Sequence, residues 1–309
     1  MGGPSLAPHP AVIVGAGPAG VSAALWLRRL EVSLRLLECG PAVGGELHRV
    51  NLPIEDYPGL RAADGRALAR ALSEHLAAAG IRPELGVETR GLDLPGRLLH
   101  TSAGDVPFSA LVIATGLERR RLGVPGEEAY GGRGVSYSAS TDVARIAGSD
   151  AVVVGGGDGA FENAAMLARV CPGVTLVVRG ATPRARPAFV TRVGTLSNVT
   201  LITRCRALAV EGDARGVTGL RVAEPGGERT LAAAWVVVKV GFAPRTGFLG
   251  GQLDLEPEGH VRVDRGLRTS AAGVFAAGDV ANPLAPSVAA AVGDGAVAAR
   301  GVLEHLRGR

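Results

Sequence analysis

Two glycine-rich loops and one run of hydroxyl-bearing residues are the places where this chain could do chemistry. The first loop, Gly15-Ala16-Gly17-Pro18-Ala19-Gly20, follows the apolar run Ala-Val-Ile-Val at 11–14 and opens an Ala/Leu-rich segment expected to be helical to about Arg29. A second apolar run, 32–37, ends in Glu38. The pattern is GxGxxG after a strand, with an acid about 20 positions on. Gly15 permits the tight turn, Gly17 lets the backbone approach a pyrophosphate, and Gly20 lets helix and strand pack closely. The helix N-terminus attracts the phosphate charge, and Glu38 is expected to hydrogen-bond ribose hydroxyls. A lone GxGxxG is a weak signal; strand, helix and acid in register make it a strong one.

The pattern then repeats. Ala151-Val152-Val153-Val154 leads into Gly155-Gly156-Gly157-Asp158-Gly159-Ala160, a helix over 160–170 and a strand over 174–178. This second copy ends in Val178-Arg179 and carries no acid. An acid there would repel a 2′-phosphate, whereas Arg179 and Arg184 could pair with one, which favours NADPH over NADH. The alternative is that both arginines are exposed loop charge. Further buried strands are expected at 110–113, ending at Ala114-Thr115-Gly116, at 235–240, ending at Gly241, and at 274–277, ending at Gly278-Asp279. An Ala-rich helix should run from about Ser287 to Leu306. In open α/β sheets ligands sit at the carboxyl ends of strands, and the loop Gly44-Gly45-Glu46-Leu47 would also let backbone approach a ligand.

The elements that must hold these loops are consistent with the composition. The 309 residues can build two domains with ordinary cores. With 47% hydrophobic residues, 4% aromatics and 46 glycines, the chain reads as α/β with tight strand-to-helix turns. The net charge is +4 and the arginines are scattered, so the surface is solvated and basic without a nucleic-acid stripe. Cys39, Cys171 and Cys205 have neither metal nor disulfide spacing, which suggests a reduced, cytoplasmic setting. No apolar run approaches the length of a membrane span, and residues 1–10 read as a loose leader.

Taken together, GAGPAG (15–20), GGEL (44–47), EDYPG (55–59), ATG (114–116), VPGE (124–127), GGGDGAFENA (155–164), VGFAPRT (240–246), GVFAAGD (273–279) and GDGAVAA (293–299) resemble the low-molecular-weight thioredoxin reductase family. The resemblance implies two Rossmann-like dinucleotide-binding domains. FAD would occupy a discontinuous domain, 1–117 plus 247–309, and NAD(P)H an inserted one, 118–246, with hinges near Thr115–Glu118 and Phe242–Thr246. It implies a homodimer. Family FAD contacts carry over to Gly15, Gly17, Pro18, Ala19, Gly20, Glu38, Gly45, Glu46, Leu47, Gly116, Gly278 and Asp279. Pyridine-nucleotide contacts carry over to Gly156, Gly157, Asp158, Ala160, Arg179, Arg184 and Gly241.

Several positions depart from the family. One phosphate-binding Arg is missing, because His-Arg-Arg-x-x-x-Arg reads Val178-Arg179-Gly180-x-x-x-Arg184. Pro286-Ser287 stands for an Arg-Gln, Gly159 for a Ser, and Asp56 for an Asn. Above all, Tyr-Cys-Ala-Thr-Cys-Asp reads Tyr137-Ser138-Ala139-Ser140-Thr141-Asp142, with the 18-residue spacing from Tyr137 to Gly155 intact. In the family, reduced flavin attacks that disulfide, a thiolate reduces thioredoxin, and the acid handles a proton. Hydroxyls have no such redox couple. Ser138, Thr141 and Asp142 would either orient an acceptor or cap a helix over 142–147. The three cysteines read as buried inert thiols, Cys39 near the FAD adenosine. His48 would reach the flavin edge as a proton donor or be an exposed loop histidine.

The implied activity is an NAD(P)H-dependent FAD oxidoreductase delivering electrons to a non-disulfide acceptor: a small oxidant, a quinone or a carrier protein. Two alternatives stand beside it: a thioredoxin-reductase-like ferredoxin/flavodoxin NADP reductase, and a low-turnover flavin- or nucleotide-binding sensor or subunit.

Overall fold

The structure, a computed structural model, describes residues 8–51 and 53–308. Residues 1–7 of the expected leader lie outside the described residues. The chain forms two compact units, one of Met1–Glu118 with Ala243–Arg309, the other of Arg119–Phe242. The chain passes between these units at 118/119 and again at 242/243.

The first unit is built on a five-stranded sheet in the order Val274–Ala276, Ala110–Ile113, Ala11–Val14, Leu34–Glu38, Glu84–Leu85, all pairs parallel. The strand expected over 32–37 is shifted to Leu34–Glu38. The cause is the end of the preceding helix α1 (Pro18–Arg29): Glu31 takes a positive φ of 59°, and Val32 N–H donates back to Leu27 O, so the chain turns before it extends. α1 and the helix at the other end of the chain, Val288–Leu306, pack together through small side chains, among them Ala19, Ala23, Ala291, Ala298 and Ala299. The approach is so close that a Cβ at Gly295 would overlap Ala19 O. That long helix starts one residue later than expected, because Ser287 is its N-cap and accepts from Ala290 N–H at 3.2 Å. The opposite face of the sheet buries Val12, Leu37, Leu111 and Ile113 against Leu92, Leu99 and Val106. These come from an antiparallel three-stranded sheet, Thr89–Asp93, Leu98–Thr101 and Gly104–Pro107.

The second unit repeats the plan. Its parallel sheet runs Val199–Ile202, Val174–Val177, Ala151–Val154, Trp235–Val238, Val135–Ser136. One face is covered by the helices Ala139–Ile146, Asp158–Leu167 and Pro187–Gly194, which bury Ile146, Phe161, Leu167 and Val193 against Val153, Leu176 and Val237. The other face, with Val152, Val154 and Val236, meets the antiparallel strands Arg206–Asp213, Gly216–Glu224 and Gly227–Ala232. The helix expected over 160–170 begins two residues earlier, at Asp158, with Gly157 as its N-cap. The strand expected over 235–240 stops at Val238.

Candidate functional site

In the first unit, the carboxyl ends of the parallel strands open into a cleft of about 1000 Å³. Gly15, Gly17, Pro18 and Ala19 of the first glycine loop line it, with Glu38 at the end of the next strand. Gly45, Glu46, Leu47 and His48 line it from one side, and Gly116, Gly278 and Asp279 from the strand ends. Gly20 does not line the cleft. It is buried in α1, where a Cβ would overlap Gly15 O, so its role is the close helix–strand packing that shapes the loop.

Glu38 is 7% exposed. Its carboxylate accepts from Ala16 N–H at 2.7 Å and from Gly40 N–H at 2.7 Å, and so ties two turns of the cleft together. Asp279 is half-buried, and burial, followed by the nearby charges of Asp294 and Glu46, pushes its carboxyl above the ordinary aspartate range. His48, expected either at the flavin edge or as an exposed loop histidine, is exposed, and its Nε2 lies 2.8 Å from Val43 O, so it closes its own loop. Asp56 is also exposed, at the lip of the cleft.

In the second unit, Gly156, Gly157, Asp158 and Ala160 form the corresponding turn at the carboxyl end of Ala151–Val154. The turn needs glycine at its start: Gly155 has φ +152°, and a Cβ there would overlap Lys239 O. Gly241 is exposed just past the end of Trp235–Val238. Arg179 and Arg184 are exposed, and Arg184 N–H donates to Gly156 O at 2.7 Å. A third arginine, which the sequence reading passed over, is engaged more strongly. Arg186 donates from both its backbone N–H (2.8 Å) and its Nε (2.6 Å) to the Asp158 carboxylate, which these bonds hold below the ordinary aspartate range. A cluster of Arg within a few residues after the second strand was the signal that could have found it.

The segment Tyr137–Asp142 lies beyond the short strand Val135–Ser136. The helix that follows spans Ala139–Ile146 and not 142–147, so Thr141 and Asp142 sit within its first turn. Ser138 is its N-cap residue, but its side chain makes no capping bond. Instead Thr141 Oγ1 donates to Ser138 Oγ at 3.1 Å, and Ser140 Oγ lies 3.1 Å from the same atom. The buried first amide of the helix is satisfied from elsewhere: Asn163 Oδ1 accepts from Ala139 N–H at 3.1 Å. Asp142 accepts from Ser136 Oγ at 2.6 Å and pairs with Arg145. Tyr137 donates its hydroxyl to the buried Glu127 at 2.8 Å, and burial together with that carboxylate pushes the phenol up to about 12, so it stays protonated in neutral solution.

A family model for pyridine nucleotide-disulphide oxidoreductases matches residues 9–295. The chain belongs to this family. Among the oxidoreductases it is similar to, the thioredoxin reductase of Mycolicibacterium smegmatis is 36% identical over 297 residues, covering 94% of each chain. The solved thioredoxin reductase of Lactococcus lactis is 31% identical, with 97% of this chain and 100% of that one covered and a TM-score of 0.83. A ferredoxin-flavin thioredoxin reductase from Clostridium acetobutylicum is 26% identical with a TM-score of 0.54, covering 97% and 99%.

In this oxidoreductase Cys171 and Cys205 are buried, but Cys39 is exposed, against the expectation of an inert buried thiol. It follows Glu38 at the strand end, where the chain leaves the core, and its Sγ lies 3.4 Å from Glu38 Oε1. Burial of the sulfur, then the Glu38 charge, raises this thiol above its ordinary range. A thiol reagent should therefore modify one cysteine in the native protein, at a rate that climbs with pH through the alkaline range, and three after unfolding. Peptide mapping should identify the first as Cys39; fast native labelling at Cys171 or Cys205 would contradict the burial. Among the described residues no group of three His, Cys, Asp or Glu could hold a metal, and no helix is long and apolar enough to cross a membrane.

Proposed function

We propose that this oxidoreductase passes electrons from NAD(P)H through FAD to an acceptor that is not a disulfide. The observation that carries the reading is the Ser-Ala-Ser-Thr run at 138–141, whose hydroxyls bond one another where a redox pair of thiols would be needed.

The first unit fits FAD. Its cleft has the volume of a dinucleotide site, and Gly17 and Gly116 each face open space where a Cβ would project. Glu38 holds the glycine loop by its backbone while keeping acceptor capacity for a ribose hydroxyl, and Asp279 presents a partly buried carboxyl at a strand end. Gly15, Pro18, Ala19, Gly45, Glu46, Leu47 and Gly278 complete the cradle, with Gly20 supporting it from behind. Bound FAD supplies two-electron acceptance from a nicotinamide and onward transfer to an oxidant. In the second unit, the backbone from Gly156 to Ala160 and Gly241 would hold the pyridine nucleotide. Arg179 and Arg184 would meet a 2′-phosphate, which favours NADPH, and Arg186 keeps the Asp158 carboxylate ionised and oriented. The inserted domain, expected over 118–246, is assigned to Arg119–Phe242, and the FAD domain to the other compact unit. Ser138, Thr141 and Asp142 orient the acceptor, and a homodimer is the assembly proposed.

The similarity to a ferredoxin-flavin thioredoxin reductase supports a second reading, in which the partner is an iron–sulfur or flavin carrier protein. The experiment for both is anaerobic addition of NADPH or NADH to the purified protein loaded with FAD. Rapid bleaching is expected, faster with NADPH. A flavin that stays oxidised with both nucleotides would overturn the proposal, and steady NADPH-dependent reduction of thioredoxin would show that another thiol does the work.

A further inference from the structure

The FAD cleft proposed for the first unit must accept two phosphates, yet carboxylates crowd its lining. Glu38, Glu46, Asp56 and Asp279 line it, against guanidinium groups at Arg49 and Arg245. Arg49 is paired with Glu46 along the same turn. Arg245, which is half-buried, is not matched in this way. Its Nη2 lies 3.8 Å from Glu46 Oε1, and its Nη1 lies 3.8 Å from Cys39 Sγ. The first separation exceeds hydrogen-bond length, and a thiol is a weak acceptor. Among the described residues, this guanidinium therefore makes no hydrogen bond to an oxygen.

The backbone holds Arg245 at the carboxyl edge of the sheet. Its N–H donates to Gly116 O at 3.1 Å, and its carbonyl accepts from Thr115 Oγ1 at 2.9 Å, both in the loop after the Ala110–Ile113 strand. The two neighbours of its side chain belong to turns that flank the glycine loop. Cys39 follows Glu38, whose carboxylate holds Ala16 N–H. Glu46 follows Gly45, where a Cβ would come within 3.4 Å of Gly17 Cα. Gly17 is the N-cap of α1, and the first turn of that helix carries no acidic side chain. Main-chain N–H groups and the helix dipole favour an anion there. The guanidinium of Arg245 thus touches both turns that border the start of α1.

The geometry points to Arg245 as a binding residue for the FAD pyrophosphate, its planar fork donating to phosphate oxygens held at the start of α1. This rests on the assignment of the cleft to FAD. Of the parts of that cofactor, the pyrophosphate has both the oxygens to meet a fork of N–H donors and the charge to pair with it. Arg245 thereby makes the cleft select FAD over flavins that lack a pyrophosphate. Its side chain contributes little to the fold itself. The pair with Glu46 is long and partly exposed, a kind that adds little stability, and the backbone bonds survive any substitution but proline.

Three full-length proteins test this: wild type, Arg245→Met and Arg245→Lys. Each is stripped of flavin, checked by its melting curve, and titrated with FAD and with riboflavin by fluorescence, at low and at high potassium chloride. At low salt the methionine variant is expected to bind FAD about tenfold more weakly, the effect of losing one charge-assisted hydrogen bond. It should bind riboflavin as the wild type does, so the preference for FAD shrinks by the same factor. Salt should weaken FAD binding to the wild type more than to the methionine variant, a comparison that needs FAD alone. Lysine, which keeps the charge without the fork, should restore the salt dependence and part of the affinity. Equal FAD affinity in the wild type and the methionine variant would overturn the assignment of Arg245 while leaving the cleft an FAD site. An equal loss for FAD and riboflavin would also overturn it, because the side chain would then only shape the cleft. A wild type that takes up no FAD would overturn the assignment of the cleft, and that of Arg245 with it.

Discussion

Replacing Glu38 by alanine is expected to give a protein that purifies with less than about a tenth of the wild-type flavin and melts roughly 6–12 °C lower. The argument begins with a strand that ends on an acid. Glu38 closes Leu34–Glu38 and is almost fully buried, an expensive place for a carboxylate unless donors surround it. Two main-chain donors do so at 2.7 Å, Ala16 N–H in the glycine loop and Gly40 N–H in the following turn. Hydrogen bonds to a charged acceptor are worth about 1.5–3 kcal/mol each, and alanine leaves both donors buried without a partner. The expected loss of about 3 kcal/mol is a large share of ordinary domain stability. It falls on the two turns that shape the cleft, so cofactor retention suffers more than the fold. Glu38→Gln, which keeps one acceptor oxygen, should lie between the two. The check is the ratio of flavin absorbance to protein absorbance together with a melting curve; full flavin content in the alanine variant would contradict this account of the cleft.

The second large effect is a gain. The double variant Ser138→Cys, Thr141→Cys is expected to form a disulfide and to acquire NADPH-dependent disulfide reduction, which the function proposed above does not assign to the parent. Ser138 Oγ and Thr141 Oγ1 are 3.1 Å apart across the first turn of Ala139–Ile146, so sulfurs at these positions need only rotamer adjustment to reach bonding distance. Asp142 is already in place beside them, and a helix N-terminus lowers the pKa of a thiol placed there. Reduction then takes two electrons and two protons and opens the bond to a dithiol. Mass spectrometry with and without alkylation, followed by reduction of a small aromatic disulfide, measures both steps. A variant that bridges but shows no turnover would locate the difference from thioredoxin reductases outside this segment.

Both dinucleotide-type sheets were legible because each rests on a four-residue apolar run followed by glycines at fixed spacing, and these strands, buried on both faces, read as continuous hydrophobic segments. The antiparallel sheets, Thr89 to Pro107 and Arg206 to Ala232, were not legible. Their strands alternate weakly, with Arg206, Arg221 and Glu228 facing water, and two register irregularities in the longer hairpin break the period further. Element ends were displaced where backbone hydrogen bonds decide them, as at Glu31 after α1. The position of the Ser138–Asp142 run could be counted, but its bonding could not. The cap of its helix comes from Asn163, 24 residues on, and no local pattern announces a partner at that distance.

The proposal that electrons leave this oxidoreductase without a disulfide has one direct test, an anaerobic titration of the purified holoprotein with dithionite. Full reduction should consume two electrons per bound flavin, with the thiol count remaining at the three cysteines of the chain before and after. Uptake of four electrons per flavin, or new thiols appearing on reduction, would contradict it.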